Sequence, residues 1–257
     1  MSLGDLNFDG AASVSVPGIS FATGAGFVAE GAPIPVQQGT TTTGPTLSPF
    51  KLAVITSLTS EMLRSSNAET LVRQVLIEST GPALEAVLFS NAAATTSAPA
   101  GLRNGISGLT PAAPGEKAQA IVDDLQALGL AVASVAGNGA ITLVASPDAA
   151  VALRLRLPQT VQWPVLTSAS LAARTVIAVA ANAVVSAVEG APLIDAGQET
   201  VLHFETAPQA IVTPAGSVAR PVGSLFQTDT VGLRLKWPIS WALRSSAGLA
   251  WMTNVNW

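Results

Sequence analysis

Three hydrophobic patterns succeed one another along the chain: proline-stiffened apolar stretches, helical stripes, and short apolar strands. Residues 4 to 28 hold Gly, Ala, Ser and Phe without a period, which predicts a segment either disordered or extended as an arm on another surface. Ala29 to Val36 is apolar and carries Pro33 and Pro35, which hold the backbone extended. Gln37 to Thr46 is polar and contains glycines, and reads as a tip. Leu47 to Leu58 returns as a strand through Leu52, Val54, Ile55 and Leu58. Together these segments predict a long two-stranded hairpin. Isolated hairpins are marginal in water, so this one is expected to rest on a neighbour.

Helical spacing takes over from about Asn67 to Phe89, where Leu71, Val72, Val75, Leu76, Leu84, Val87 and Leu88 form an apolar stripe. Ser66 and Glu69 fit a capping box, and Gly81-Pro82 is expected to kink or break the helix. After a small-residue loop, a second helix is predicted from Gly115 to Val135, with Ile121, Val122, Leu125, Leu128 and Val132 inward. Ala140 to Ala145 reads as a buried strand. Ser146-Pro147 supplies N-cap and N1 of a third helix carrying Val151, Leu153 and Leu155. Trp163 to Leu166 and Thr175 to Val179 read as strands. Beyond Gly190 the pattern is all-β, with strands at Thr200 to Glu205, at Leu225-Phe226, in a long run from Asp229 to Leu243, and at Leu249 to Trp251. No internal repeat is visible.

Composition changes the picture in one respect. Only 11% of the 257 residues are charged and 49% are apolar, against about a quarter charged in ordinary soluble domains. Either Ala enrichment inflates the apolar count, or much of the surface faces other subunits; segments that look unable to fold alone favour the second. A net charge of −4 with scattered Lys and Arg gives no basic face for nucleic acid. Absence of Cys excludes disulfides and thiolate metal sites. No run reaches the apolar length of a membrane span, and no signal peptide is visible. Met1 to Leu3 reads equally as a vector remnant or a natural start.

Candidate chemistry is thin, and no catalytic, cofactor-binding or metal-binding residue is assigned. His203, between Leu202 and Phe204 on a predicted strand, is a structural or interface histidine rather than a general base, since no Gly-x-Ser-x-Gly elbow accompanies it. Asp123-Asp124 diverge by about 100° on a helix, which suits a solvated face better than an acid pair or metal site. Gly24-Ala25-Gly26 lacks the rest of a dinucleotide fingerprint. Trp237 and Trp241 are four apart on a strand and share a face, which suggests core packing.

The order of arm, hairpin, helix, α/β lobe and terminal strands resembles the major capsid proteins of tailed phages, the Hong Kong 97 fold. Five segments carry the likeness in order. Phe27-Val28-Ala29-Glu30-Gly31-Ala32-Pro33-Ile34-Pro35 resembles the entry to that family's extended loop, and Leu47-Ser48-Pro49-Phe50-Lys51-Leu52-Ala53 its return strand. Ser60 to Ser66 resembles the bend into the spine helix, and Pro99-Ala100-Gly101-Leu102 the turn after it. Thr228 to Arg234 and Ile239 to Arg244 resemble the final long strand. The resemblance implies an α+β fold with an N-terminal arm (1–28), an extended hairpin loop (29–58), a peripheral domain with the spine helix (59–108), an axial α/β domain (109–196), and peripheral strands returning to the axial domain (197–257). It implies a non-enzymatic virion subunit of phage or prophage, without cofactors or a membrane. Such a subunit self-assembles in host cytoplasm into pentamers and hexamers around DNA it does not read by sequence, with portal and scaffold proteins as possible partners. The family's N-terminal scaffold region is not recognisable, which fits a truncated or processed form. The founding phage joins its subunits by a self-made Lys–Asn bond with an assisting Glu. Here Lys51 is the hairpin's only Lys and lies off the tip, while Asp229 and Lys236 stand where the Asn and Glu would fall, so no such bond is expected. Alternatives are an encapsulin-type bacterial compartment and a secreted β-rich binding module, with an enzyme the weakest.

Overall fold

The computed structural model of the chain describes residues 6–21, 27–31, 34, 36, 39–64, 68–113, 115, 117–137, 140–156, 163–204 and 223–257. Five short strands come first: β1 (Leu6–Asn7), β2 (Val14–Ser15), β3 (Gly18–Phe21), β4 (Gly39–Thr42) and β5 (Thr46–Leu47). Strand β6 (Phe50–Thr59) leads through the short helix α1 (Ser60–Arg64) into α2 (Ala68–Leu88). An α/β stretch follows: α3 (Lys117–Ala136), β7 (Ile141–Ala145), α4 (Pro147–Arg156), β8 (Val165–Thr167) and β9 (Val176–Ala180). After a 3-10 turn at Ala181–Ala183 come β10 (Val184–Val188), β11 (Leu193–Gly197), β12 (Val201–Leu202), β13 (Gly223–Ser224), β14 (Thr230–Leu243) and β15 (Leu249–Met252). The chain divides into two compact units. One joins Met1–Phe50, Leu84–Glu189 and Ile239–Trp257; the other joins Lys51–Ala83 and Gly190–Pro238.

The first unit is built on a four-stranded sheet in the order β15-β9-β7-β8, antiparallel except for the β7–β8 pair. All five residues of β9 are buried, which is why this strand reads as an unbroken apolar run rather than an alternation. Helices α3 and α4 bury Ile121, Leu125, Leu128, Val132, Ala149 and Leu153 in the same core as Leu143, Ala178 and Met252. Among the described helices α3 alone is long and apolar enough to cross a membrane by composition; here its stripe packs against the sheet. Val122, expected inside, lies outside at 39% exposure, and on α4 Val151 and Leu155 are 56% and 79% exposed. The buried stripes are narrower than the apolar content, because small Ala side chains let one flank of each helix fill the layer.

Residues 6–21 take the extended alternative expected for the arm, lying against other parts of the chain. β1 runs parallel to β10, with Leu6 opposite Ala187, and Phe8 joins Leu47, Val185 and Ala187 in a small core. Burying Phe8 is worth about 2 kcal/mol. Two-residue strands whose partner lies far along the chain leave no period to read.

The hairpin is also displaced. Its paired strands are β2 with β5 and β3 with β4, Val14 opposite Leu47 and Phe21 opposite Gly39, so 14–21 rather than 29–36 is the outgoing side. Thr40 to Thr42, read as part of a polar tip, lie in β4; β-branched threonines suit a strand better than a turn. Of the tip residues, Gln37 and Gln38 lie outside the described residues, as do Gly24 to Gly26 and the capping residues Ser66 and Asn67.

In the second unit, β14 alternates cleanly, with Val231, Leu233 and Leu235 buried and Arg234 exposed. β11 runs antiparallel to it and β6 also pairs with it. Val72 and Leu76 of α2 pack with Leu233, Leu235, Val54, Leu58, Ile194 and Trp237. Helix α2 is not broken at Gly81-Pro82. The proline forfeits one backbone bond, and the hydroxyls of Ser79 and Thr80 brace the preceding turn by donating to the carbonyls of Leu76 and Ile77 at 2.9 and 2.7 Å.

Candidate functional site

The three positions with cross-linking potential are each already engaged or out of reach. Asp229 sits at a left-handed corner (φ 46°) before β14. Its carbonyl accepts the Ser60 backbone N–H at 2.9 Å, and its carboxylate accepts the Ser60 hydroxyl at 2.7 Å. This side chain therefore closes the corner between β6 and β14. Lys51 lies at the other end of β6, nine residues from Ser60, or about 30 Å along an extended strand. Lys236 lies 3.2 Å from Asp195, which also accepts Arg234 at 2.8 Å. Asp195 and Arg234 are directly opposed across β11 and β14, the geometry in which cross-strand charges meet. Bonds from Arg234 first, then Lys236, hold the Asp195 carboxyl below its ordinary range. A cation so paired cannot take the proton that an assisting carboxylate would.

The Pro99 to Leu102 turn has a mechanical role at the end of α2. Leu102 N–H donates to the Leu88 carbonyl at 2.8 Å, Arg103 N–H to Ser90 at 3.2 Å, and the Arg103 Nε–H to Phe89 at 2.5 Å. Carbonyls that a helix end leaves without partners are thus satisfied. Trp241 Nε1–H donates to the Ala100 carbonyl at 2.9 Å, and the Arg103 guanidinium lies 4.9 Å from the Trp251 ring centroid. Burial pushes the Arg103 guanidinium pKa down. Trp241 is buried, whereas Trp237 is half-buried against the core of the second unit and donates to the Gly190 carbonyl at 3.1 Å.

The residues that could suggest catalysis are not gathered into a site. His203 is half-buried just past the end of β12, and Phe204 beside it is 53% exposed. Asp123 is solvated and accepts Gln119 at 2.8 Å, as its helix position suggests. Asp124 departs from that expectation. It is buried and accepts the Ala112 N–H at 2.6 Å and the Trp257 indole N–H at 2.8 Å. Nothing local in the sequence signals this, since both donors lie outside the helix. Among the described residues, no cluster of His, Asp or Glu could hold a metal ion. A cleft of about 240 Å³ lined by Val16, Thr43, Pro45, Asn182, Arg244 and Ser245 contains a single charged side chain. No acid–base pair lines it.

Exposed apolar surface is the more telling feature. Phe27, Ile34 and Val36 are all at least 80% exposed, as singletons on a segment without secondary structure. On the first unit, Leu130 of α3 and Val151 and Leu155 of α4 are exposed. A surface so poor in charge and so rich in large apolar residues has the character of a contact surface.

A family model described as the phage capsid family matches residues 5–159. A curated relative, the capsid polyprotein of Pseudomonas phage PAJU2, is 29% identical over 238 residues, covering 82% of this chain and 34% of the relative. The chain thus spans about a third of that relative's length. A solved structure from Mycobacterium phage Cain superposes with a TM-score of 0.68 at 17% identity, covering 97% of this chain and 87% of that one. Another, from Microbacterium phage Oxtober96, gives 0.66 at 15% identity over 98% and 89%. A third, the capsid of an empty GTA particle computed with C5 symmetry, gives 0.58 at 14% identity over 98% and 88%.

Proposed function

Because this chain belongs to the phage capsid family and has the Hong Kong 97-type α+β fold, we propose that it is the structural subunit of a phage or prophage icosahedral capsid. Copies assemble into pentamers and hexamers and enclose DNA without reading its sequence. The carrying observation is the family match over residues 5–159. The likeness to a particle with five-fold symmetry supports ring assembly.

The role of the molecule is geometric: it carries no catalytic residue and takes no cofactor, and stability comes from repeated interfaces. The α/β region at 109–196 acts as the axial lobe. Residues 59–108 and 197–257 supply the peripheral part, and 1–28 and 29–58 the arm and extended loop. Pairing of 14–21 with 39–47 supports drawing the loop's base further towards the N-terminus. Assembly takes place in host cytoplasm, and portal and scaffold proteins are the partners that a growing shell requires.

Electron microscopy of the full protein, expressed alone and concentrated, tests this. Closed shells with five- and six-fold capsomers are expected; a species that stays monomeric at every concentration and salt condition would overturn the reading.

A further inference from the structure

The outward sides of α3 and α4 hold an arrangement of apolar and charged groups left exposed among the described residues. Along α3, the exposed residues from Val122 to Ser134 include Leu130 at 68% exposure and one charge, Asp123. Along α4, Val151 and Leu155 are 56% and 79% exposed, and Arg156 stands at the helix end. The two helices lie side by side over one face of the same sheet. Arg154 is occupied with the β8 edge, 3.3 Å from the Thr167 hydroxyl. Among the described residues Arg156 has no ion-pair partner, and Asp123 has only the neutral Gln119.

We propose that this α3–α4 layer is a contact surface for a second copy of the same chain, with Asp123 of one copy facing Arg156 of the other and Leu130, Val151 and Leu155 covered between them. The reason for choosing a second copy is charge complementarity. One surface carries the acid Asp123 on α3 and the base Arg156 at the end of α4, while the other exposed charges of α4 are engaged, Asp148 by the Arg174 backbone N–H at 2.9 Å and Arg154 by the β8 edge, so an identical surface matches the remaining pair. A partner of uniform charge would satisfy one group and repel the other. Charge depletion around an apolar centre is also the compositional mark of an interface core. This inference rests on the shell reading and adds the residues of one contact to it.

The test is charge exchange within a single chain. Asp123→Arg and Arg156→Asp should each lower the assembled fraction at least tenfold in light scattering and electron microscopy. The double variant carrying both changes should restore assembly, since each copy then presents the swapped pair. Leu130→Ser and Leu155→Ser should weaken assembly while leaving the circular dichroism spectrum unchanged, which separates loss of contact from loss of fold. If the wild-type protein forms shells and all these variants assemble equally well, this contact is wrong while the shell reading survives. If both single variants fail and the double variant fails as well, the pairing is wrong. If the wild-type protein never assembles, the shell reading itself falls, and this inference with it.

Discussion

Asp124 and Gly101 show how single residues take their roles from distant chain. Among the described residues Asp124 is the one buried charged side chain, and it anchors Ala112 and Trp257, twelve residues before it and 133 after it. A buried carboxylate is tolerated when charge-assisted bonds replace its water. Gly101 is required by a close approach: a Cβ there would overlap the carbonyl and hydroxyl of Ser90. The same turn supplies the bonds that close α2, so nothing can shift cheaply. Gly101→Ala should therefore destabilise by about 2 kcal/mol or more, read as a lowered midpoint in thermal or urea unfolding. An unchanged midpoint would show that the turn yields without cost.

Among the elements, β14 is the most fully determined by its own sequence. From Val231 to Leu235 its buried positions recur every second residue, so a slip of one residue would exchange Leu233 and Leu235 for Arg234 and Lys236 at the core. Register is further held by Arg234 and Lys236 closing on Asp195 across the ladder. Because the folded carboxyl of Asp195 titrates below its unfolded value of about 3.9, its contribution is present above that pH. It is lost as pH falls through the folded value. Asp195→Asn should thus cost some stability at pH 6, and the gap from wild type should close as pH drops below about 4. Denaturant unfolding across that range measures it. The group is exposed, so the effect will be small and will shrink in high salt.

For the whole molecule, the question is how subunits would stay joined. A self-made amide bond needs an amine losing its proton in a desolvated pocket, an amide carbonyl within reach, and an acid to manage protons. This chain offers Asp229, tied to Ser60, a Lys236 ion-paired with Asp195, and Lys51 on an exposed stretch of β6. Assembled particles should therefore dissolve in hot SDS into one band near 26 kDa, the mass of the chain being 25.9 kDa. Ladders of oligomers surviving boiling would show that another Lys and Asn had met across copies.

Local rules by themselves determined most elements of the α/β region and the long terminal strand. Helix α3 and strands β7 and β9 lie within two residues of where periodicity puts them, because an apolar stripe or run long enough to nucleate its own structure declares its period. The motif at Pro99 to Leu102 lies within the residues 5–159 that the family match covers. Only the tertiary structure decided the rest, and for a common reason: the deciding partner lies far along the chain. Strands of two residues such as β1 and β2 exist because β10 and β5 meet them, and Thr40 to Thr42 became strand rather than tip because Ile19 and Ser20 lie opposite. Val122, Val151 and Leu155 are as apolar as their buried neighbours, and only the position of the sheet left them outside. Asp124, adjacent to Asp123 and identical to it in type, is buried because Trp257 folds back to meet it.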